Sequence, residues 1–106
     1  MKTLSLPSGE VVELNAEGFI ADPKRWTRDI AAAFARGEQV PALTEKHWKV
    51  IDYLREYFRV VGEAPRIRRL LRDCNIRPTT LYTLFPTGPA AGACKIAGLP
   101  TPAGCH

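Results

Sequence analysis

Apolar and polar residues alternate at the start of this chain and then recur at a spacing of three or four. Leu4 and Leu6 are separated by Ser5, and Val12 and Leu14 by Glu13, on either side of Pro7-Ser8-Gly9. This pattern predicts a β-hairpin over Lys2 to Leu6 and Glu10 to Leu14. A lone hairpin is marginal in water, so it is expected to lie on the helices that follow. Asn15-Ala16-Glu17-Gly18 ends the alternation. Phe19 and Ile20 lead into a helix start at Asp22-Pro23, where Asp22 can cap and proline at the first position loses no bond. Trp26, Ile30, Ala33 and Phe34 follow at helical spacing, with Gly37 as a stop. Trp26 reads as a buried anchor in preference to a recognition surface.

The strongest helix signal runs from Thr44, a cap with Glu45 in the first turn, to Gly62. Its apolar stripe is Trp48, Ile51, Leu54, Phe58 and Val61. Arg55 and Arg59, with Asp52 and Glu56, fall on its more exposed sides. His47 is expected to be half-exposed in the first turn. Pro65 opens a third helix through about Cys74, with Ile67, Leu70 and Leu71 inward. After Asn75-Ile76-Arg77-Pro78, Thr79 can cap a short piece from Thr80 to Leu84. These two pieces imitate a helix-turn-helix. A last helix is expected over Pro89 to Ala97, carrying Cys94 and ended by Gly98. The chain is thus expected to be mainly α: a small orthogonal helical bundle with an N-terminal hairpin, a helix-turn-helix-like centre and a flexible C-terminal arm. It reads as one domain over residues 1–106, with 98–106 the mobile arm.

Composition changes this picture little. At 106 residues, 45% apolar and 25% charged, the chain is an ordinary small globular domain. No apolar run approaches a membrane span and the N-terminus lacks a signal-peptide block, so a cytoplasmic location is expected. Three cysteines in that setting are thiols or redox groups before they are a structural framework.

Charge changes it more. The net charge is +4. Arg66, Arg68, Arg69, Arg72 and Arg77 face only Asp73, and setting these six aside leaves ten basic and ten acidic residues. The whole excess sits in one segment. Docking of an acidic partner or attraction of an anion ranks first for it, a solvated face next and DNA recognition third. The arginines could also hold a small anion or lower the pKa of a folded-back cysteine. The cysteines and histidines lack paired zinc spacing. There is no phosphate loop, protease motif, nucleophile triad or cofactor fingerprint. The chain is not expected to be a catalyst by itself or to bind a cofactor.

The chemistry is concentrated in the tail. Gly98-Leu99-Pro100-Thr101-Pro102-Ala103-Gly104-Cys105 opposes helix and spans at most about 28 Å when extended. Cys105 could therefore reach outward or fold back toward Cys94, while Cys74 reads as a partly buried structural thiol. A terminal thiol that can do both suits redox or sulfur-carrier chemistry; a frayed end with two incidental cysteines is the competing reading.

Leu84-Phe85-Pro86-Thr87-Gly88-Pro89, Cys94, Ile96-Ala97-Gly98-Leu99-Pro100 and the penultimate Cys105 together resemble the DsrC family. Glu17-Gly18-Phe19-Ile20, Asp22-Pro23, Trp26, Leu43-Thr44, His47-Trp48 and Ala64-Pro65 agree with it. The resemblance implies a sulfur-carrying co-substrate of dissimilatory sulfite reductase. It implies the α and β subunits of that enzyme as partners, with siroheme and iron–sulfur clusters on the partner, and a membrane-associated thiol/disulfide reductase acting afterwards. Cys105 would accept sulfur as a persulfide and Cys94 would close a trisulfide. Lys95, Ile96, Gly98, Leu99, Pro100 and Gly104 would be arm-docking positions. The related TusE proteins of transfer-RNA thiolation typically keep only the penultimate cysteine, so Cys94 favours the sulfur-respiration branch. A TusE-like relay and a helix-turn-helix DNA-binding regulator are the alternatives.

Overall fold

The computed structural model describes residues 2–99; the arm from Pro100 onward, with Cys105, lies outside the described residues. The expected hairpin forms from β1 (Lys2–Ser5) and β2 (Val11–Leu14), antiparallel with Leu4 opposite Val12. Gly9 takes φ 93° in the connecting turn, a conformation open to glycine at little cost. Leu6 and Val12 are buried and Leu4 is half-buried, so the alternation faces one side inward, while β1 packs against α1 (Arg28–Gly37).

Two expectations fail in the next stretch. Phe19 and Ile20 do not enter a helix. The Asn15 side chain accepts from Glu17 N–H and Phe19 N–H, and the chain folds back so that Ile20 bridges Leu14 beside β2. Asp22 does cap, through Oδ1 to Lys24 N–H at 3.0 Å, but it starts only a 3-10 turn, Pro23–Arg25. Trp26 is extended (φ −63°, ψ 139°), and the Thr27 hydroxyl accepts from Ile30 N–H to begin α1. A second cap three residues before Ile30 outcompetes continuation of the first turn. Trp26 is thus outside the helix. The left-handed residue after α1 is Gln39 (φ 65°), not Gly37.

Helix α2 (Glu45–Val61) matches its expected bounds and stops at Gly62, at φ 89°. Its buried face is His47, Val50, Ile51 and Leu54; Trp48 and Phe58 are half-buried and Val61 is 49% exposed. The inward stripe is therefore rotated from the expected one at both ends. His47 is 7% exposed, contrary to the half-exposed reading. The backbone N–H of Thr44 can only donate, so His47 Nδ1 accepts it at 3.1 Å and Nε2 carries the proton to Leu84 O at 2.8 Å. The imidazole replaces the usual Glu of a capping box and ties the start of α2 to the backbone at Leu84.

Helix α3 spans Ile67–Cys74 and ends at Asn75 in the left-handed region. Helix α4 spans Pro78–Leu84 and begins two residues earlier than expected, because Pro78 occupies the first position and Arg77, not Thr79, falls at the cap. The last helix lies where expected but opens as a π-helix, Pro89–Cys94, before tightening at Lys95 and Ile96. It packs against α2. A Cβ on buried Gly92 would sit 3.0 Å from both Phe85 Cβ and Thr87 Oγ1, so the bare α-carbon permits this close passage. Phe85, Ile96, Ala97 and Leu99 join Ile20, Ile51, Leu54, Leu70 and Leu81 in one core. Among the described residues no helix is long and apolar enough to cross a membrane.

Candidate functional site

Cys94 is fully buried at the end of the π-helix, and the four residues after it show how the chain is held there. A helix leaves its last four carbonyls without intrahelical partners. Two are closed internally. Gly98 N–H donates to Lys95 O at 3.1 Å, and Leu99 N–H donates to Cys94 O at 3.1 Å, around Gly98 at φ 76°. This is a Schellman turn, which reverses the chain and brings Leu99 back to the level of Cys94. Gly98 and Leu99 are both buried, so these first two residues of the expected arm are part of the packed domain.

The other two carbonyls are closed from outside. Trp26 Nε1 donates to Ile96 O at 2.8 Å, and Arg55 Nη1 donates to Ala97 O at 2.8 Å. Arg55 Nη2 also donates to Pro23 O at 3.3 Å, and its guanidinium stacks 4.1 Å from the Trp26 ring centre. Burial lowers the pKa of Arg55 from its usual value. A positive group at the C-terminal end of a helix is also favoured by the aligned peptide dipoles. A Cβ on Gly98 would fall 2.1 Å from Trp26 Cδ1 and 2.9 Å from Arg55 Nη1, so no larger residue fits beneath this pair.

Lys95 is held in an ion pair. Its Nζ pairs with Glu38 Oε1 at 2.7 Å, with both side chains less than a fifth exposed, and lies 5.3 Å from the Phe19 ring centre. The ion pair ties the last helix to the end of α1.

The arginines of the central segment stand apart from this arrangement. Arg66, Arg68, Arg69 and Arg72 are exposed and line a cleft of ≈ 330 Å³ with Tyr57 and Glu63. Asp73 lies 3.6 Å from Arg69 and 3.7 Å from Arg72, and accepts from Tyr53 Oη at 2.6 Å. Arg77 faces a second cleft with Lys46 and Lys49. Among the described residues, Arg55 reaches the end of the last helix and Lys95 lies within it. Sequence reasoning missed Arg55 by placing it on an exposed side; it is half-buried. The available signal was its place beside Leu54 and one turn before Phe58, at the border of the apolar stripe. Cys74 is 2% exposed, and burial raises its thiol pKa, with nearby Asp73 adding to the rise and Lys49 opposing it. A raised pKa and burial make it a poor nucleophile. Among the described residues no cluster of three metal-ligating side chains occurs.

The family model described as DsrC-like protein matches residues 7–106. The chain is 35% identical over 97 residues to the gamma subunit of dissimilatory-type sulfite reductase from Nitratidesulfovibrio vulgaris, covering 92% of each chain. It is 38% identical over 104 residues to the sulfurtransferase TusE of Photorhabdus laumondii, covering 92% of this chain and 93% of the other. The crystal structure of the oxidised gamma subunit (DsrC) from Archaeoglobus fulgidus superposes with a TM-score of 0.86 at 39% identity, over 99% of this chain and all of that one.

Proposed function

This chain belongs to the DsrC-like family of sulfur carriers, and on that premise we propose that it is the carrier and co-substrate of dissimilatory sulfite reductase, working in the cytoplasm. Cys105 receives sulfur from the α and β subunits, which hold the siroheme and iron–sulfur clusters. The sulfur arrives two electrons more oxidised than elemental sulfur, carrying hydroxide. The Cys105 thiol displaces one hydroxide as water and forms a persulfide that still bears the other. Cys94 then attacks that sulfur, the second hydroxide leaves as water, and a trisulfide links the two cysteines. The two thiols have together given two electrons, and the bridging sulfur has reached the elemental level. A membrane-associated thiol/disulfide reductase then supplies electrons to reopen the link.

The observation that carries this reading is the turn after Cys94. The second thiol sits where the backbone reverses, with Leu99 N–H bonded to Cys94 O. The domain therefore has a fixed thiol at the root of the segment that ends in the other. The test is intact mass after incubation with sulfite reductase, sulfite and a reductant. Added sulfur on Cys105 is expected, with a linked form in the unaltered chain and none in Cys94→Ala. Unmodified protein during active turnover would remove the proposal.

The 38% identity to TusE favours one second reading, a sulfur relay toward transfer RNA. That relay needs Cys105 alone, so Cys94→Ala with full sulfur turnover would select it.

A further inference from the structure

We propose that the cleft between the start of α2 and the turn from α3 to α4 binds a small phosphate monoester carried on an apolar or aromatic body. The site is built from residues 46–84 and is independent of the carrier reading.

The cleft has a volume of ≈ 370 Å³. Lys46 and Lys49 line it from α2, and Arg77 from the turn after α3. Lys46, Lys49 and Val50 are three and four residues apart, so they share one helix face. Asn75 ends α3 at φ 54° and Pro78 begins α4, which leaves only Ile76 and Arg77 to span the corner. Ile76 is half-buried and Arg77 exposed. Buried Val50 and Leu84 complete an apolar floor with Ile76. The two walls are fixed to each other, because buried His47 bonds Leu84 O at 2.8 Å.

Electrostatics separates this cleft from the arginine cleft of α3. That one has Glu63 in its wall, and Asp73 lies beside Arg69 and Arg72. Here, among the described residues, no carboxylate lines the cleft, and Lys46, Lys49 and Arg77 form no ion pair. The Asn75 amide and the Thr80 hydroxyl, also in the wall, have no hydrogen-bond partner among the described residues. Three like charges around one hollow repel one another, and a dianion between them relieves that repulsion. Guanidinium grips phosphate oxygens as a fork and ammonium as a point charge. Asn75 and Thr80 can each donate a further hydrogen bond. A bare ion would leave the floor uncovered, whereas an ester with an apolar body fills it. Apolar walls with a few convergent polar groups are the usual form of a small-molecule site.

The test is a titration of the full chain, labelled with nitrogen-15 and followed by its amide shifts. Phenyl phosphate is compared with methyl phosphate at about pH 7.5, where both esters are mostly dianions. The two carry the same charged group and differ in the apolar body. Phenyl phosphate is expected to shift the amides of Lys49, Asn75, Ile76 and Thr80 saturably, and to bind about tenfold tighter than methyl phosphate. Arg77→Met and Lys49→Met should each weaken it about fivefold. Arg68→Met, in the arginine cleft, should leave it within about twofold of the parent. All three side chains are exposed, so these variants are expected to fold as the parent does. A phenyl-to-methyl ratio above about threefold, with shifts centred on residues 75–80, supports the proposal. A smaller ratio overturns it, because the cations would then be drawing in any phosphate. Shifts centred on residues 66–72, no saturation below about 10 mM, or unchanged affinity in both Arg77→Met and Lys49→Met also overturns it.

Discussion

The end of α3 and the end of the last helix close with the same backbone motif around a left-handed residue, Asn75 at φ 54° and Gly98 at φ 76°. In α3, Asn75 N–H donates to Arg72 O and Ile76 N–H to Leu71 O. In the last helix, Gly98 and Leu99 do the same to Lys95 and Cys94. Each end carries a buried cysteine, Cys74 at 2% exposure and Cys94 at 0%. The difference lies in the two remaining carbonyls. Among the described residues no side-chain donor reaches Asp73 O or Cys74 O, whereas Trp26 and Arg55 close Ile96 O and Ala97 O. Burial therefore does not distinguish the two thiols. What separates them is whether side chains from the rest of the fold close the helix end beside the thiol.

The largest effect should come from breaking that closure at its centre. Gly98→Ala meets both an unfavourable φ and the Trp26 ring, and should cost about 3–4 kcal/mol. Asn75→Gly keeps its conformation freely and should stay within about 0.5 kcal/mol of the parent. Urea unfolding at constant slope measures both. If Gly98→Ala costs only about 1 kcal/mol, the ordinary left-handed penalty, the indole is not closing that position.

A smaller effect should follow from the ion pairs flanking the two ends. Lys95→Met strands a mostly buried Glu38 carboxylate and should cost about 2 kcal/mol. The matching change Arg69→Met leaves Asp73 solvated, and should lie within about 0.5 kcal/mol of zero. A double-mutant cycle of Lys95→Met with Glu38→Gln should recover a coupling near the single-mutant loss. Equal losses at the two ends would erase the contrast between them.

The two ends were unequally legible in the sequence, for physical reasons. The hairpin announces itself by alternation, and α2 by Thr44, Gly62 and the run between them, because those signals are local. Gly98 could be read as a stop because glycine tolerates the left-handed turn. The closure by Arg55 could not be read, since Arg55 and Ala97 are 42 residues apart and their hydrogen bond exists only once the core has formed. The dense arginine segment drew the charge argument instead, and its members turned out to be exposed. His47 was misjudged because a buried imidazole needs two partners, and one of them, Leu84 O, comes from another helix. The break at Trp26 was a contest between two nearby caps, Asp22 and Thr27, which propensity alone does not decide.

The smallest effect concerns pH at the α3 end. Burial holds the Cys74 thiol above the ordinary range, so the folded chain favours the neutral form more than the unfolded chain does. The sign follows from proton counting. Below the unfolded thiol pKa both states are protonated and the contribution is fully present. As pH rises from there through the raised folded value, the unfolded chain has already released its proton and stability declines. Tyr53 is also raised, by burial first and then by its hydrogen bond to Asp73, and it acts with the same sign at higher pH. Urea midpoints through the thiol range should therefore drift downward in the unaltered chain and drift less in Cys74→Ala. Alkylation by iodoacetamide gives an independent reading, because the thiolate is the reacting form. Modification of Cys74 should be slow at neutral pH and should accelerate only above the usual thiol range. Rapid neutral-pH labelling of Cys74 in the folded protein would show that this end is open after all, and the contrast in how the two thiols are held would need another basis.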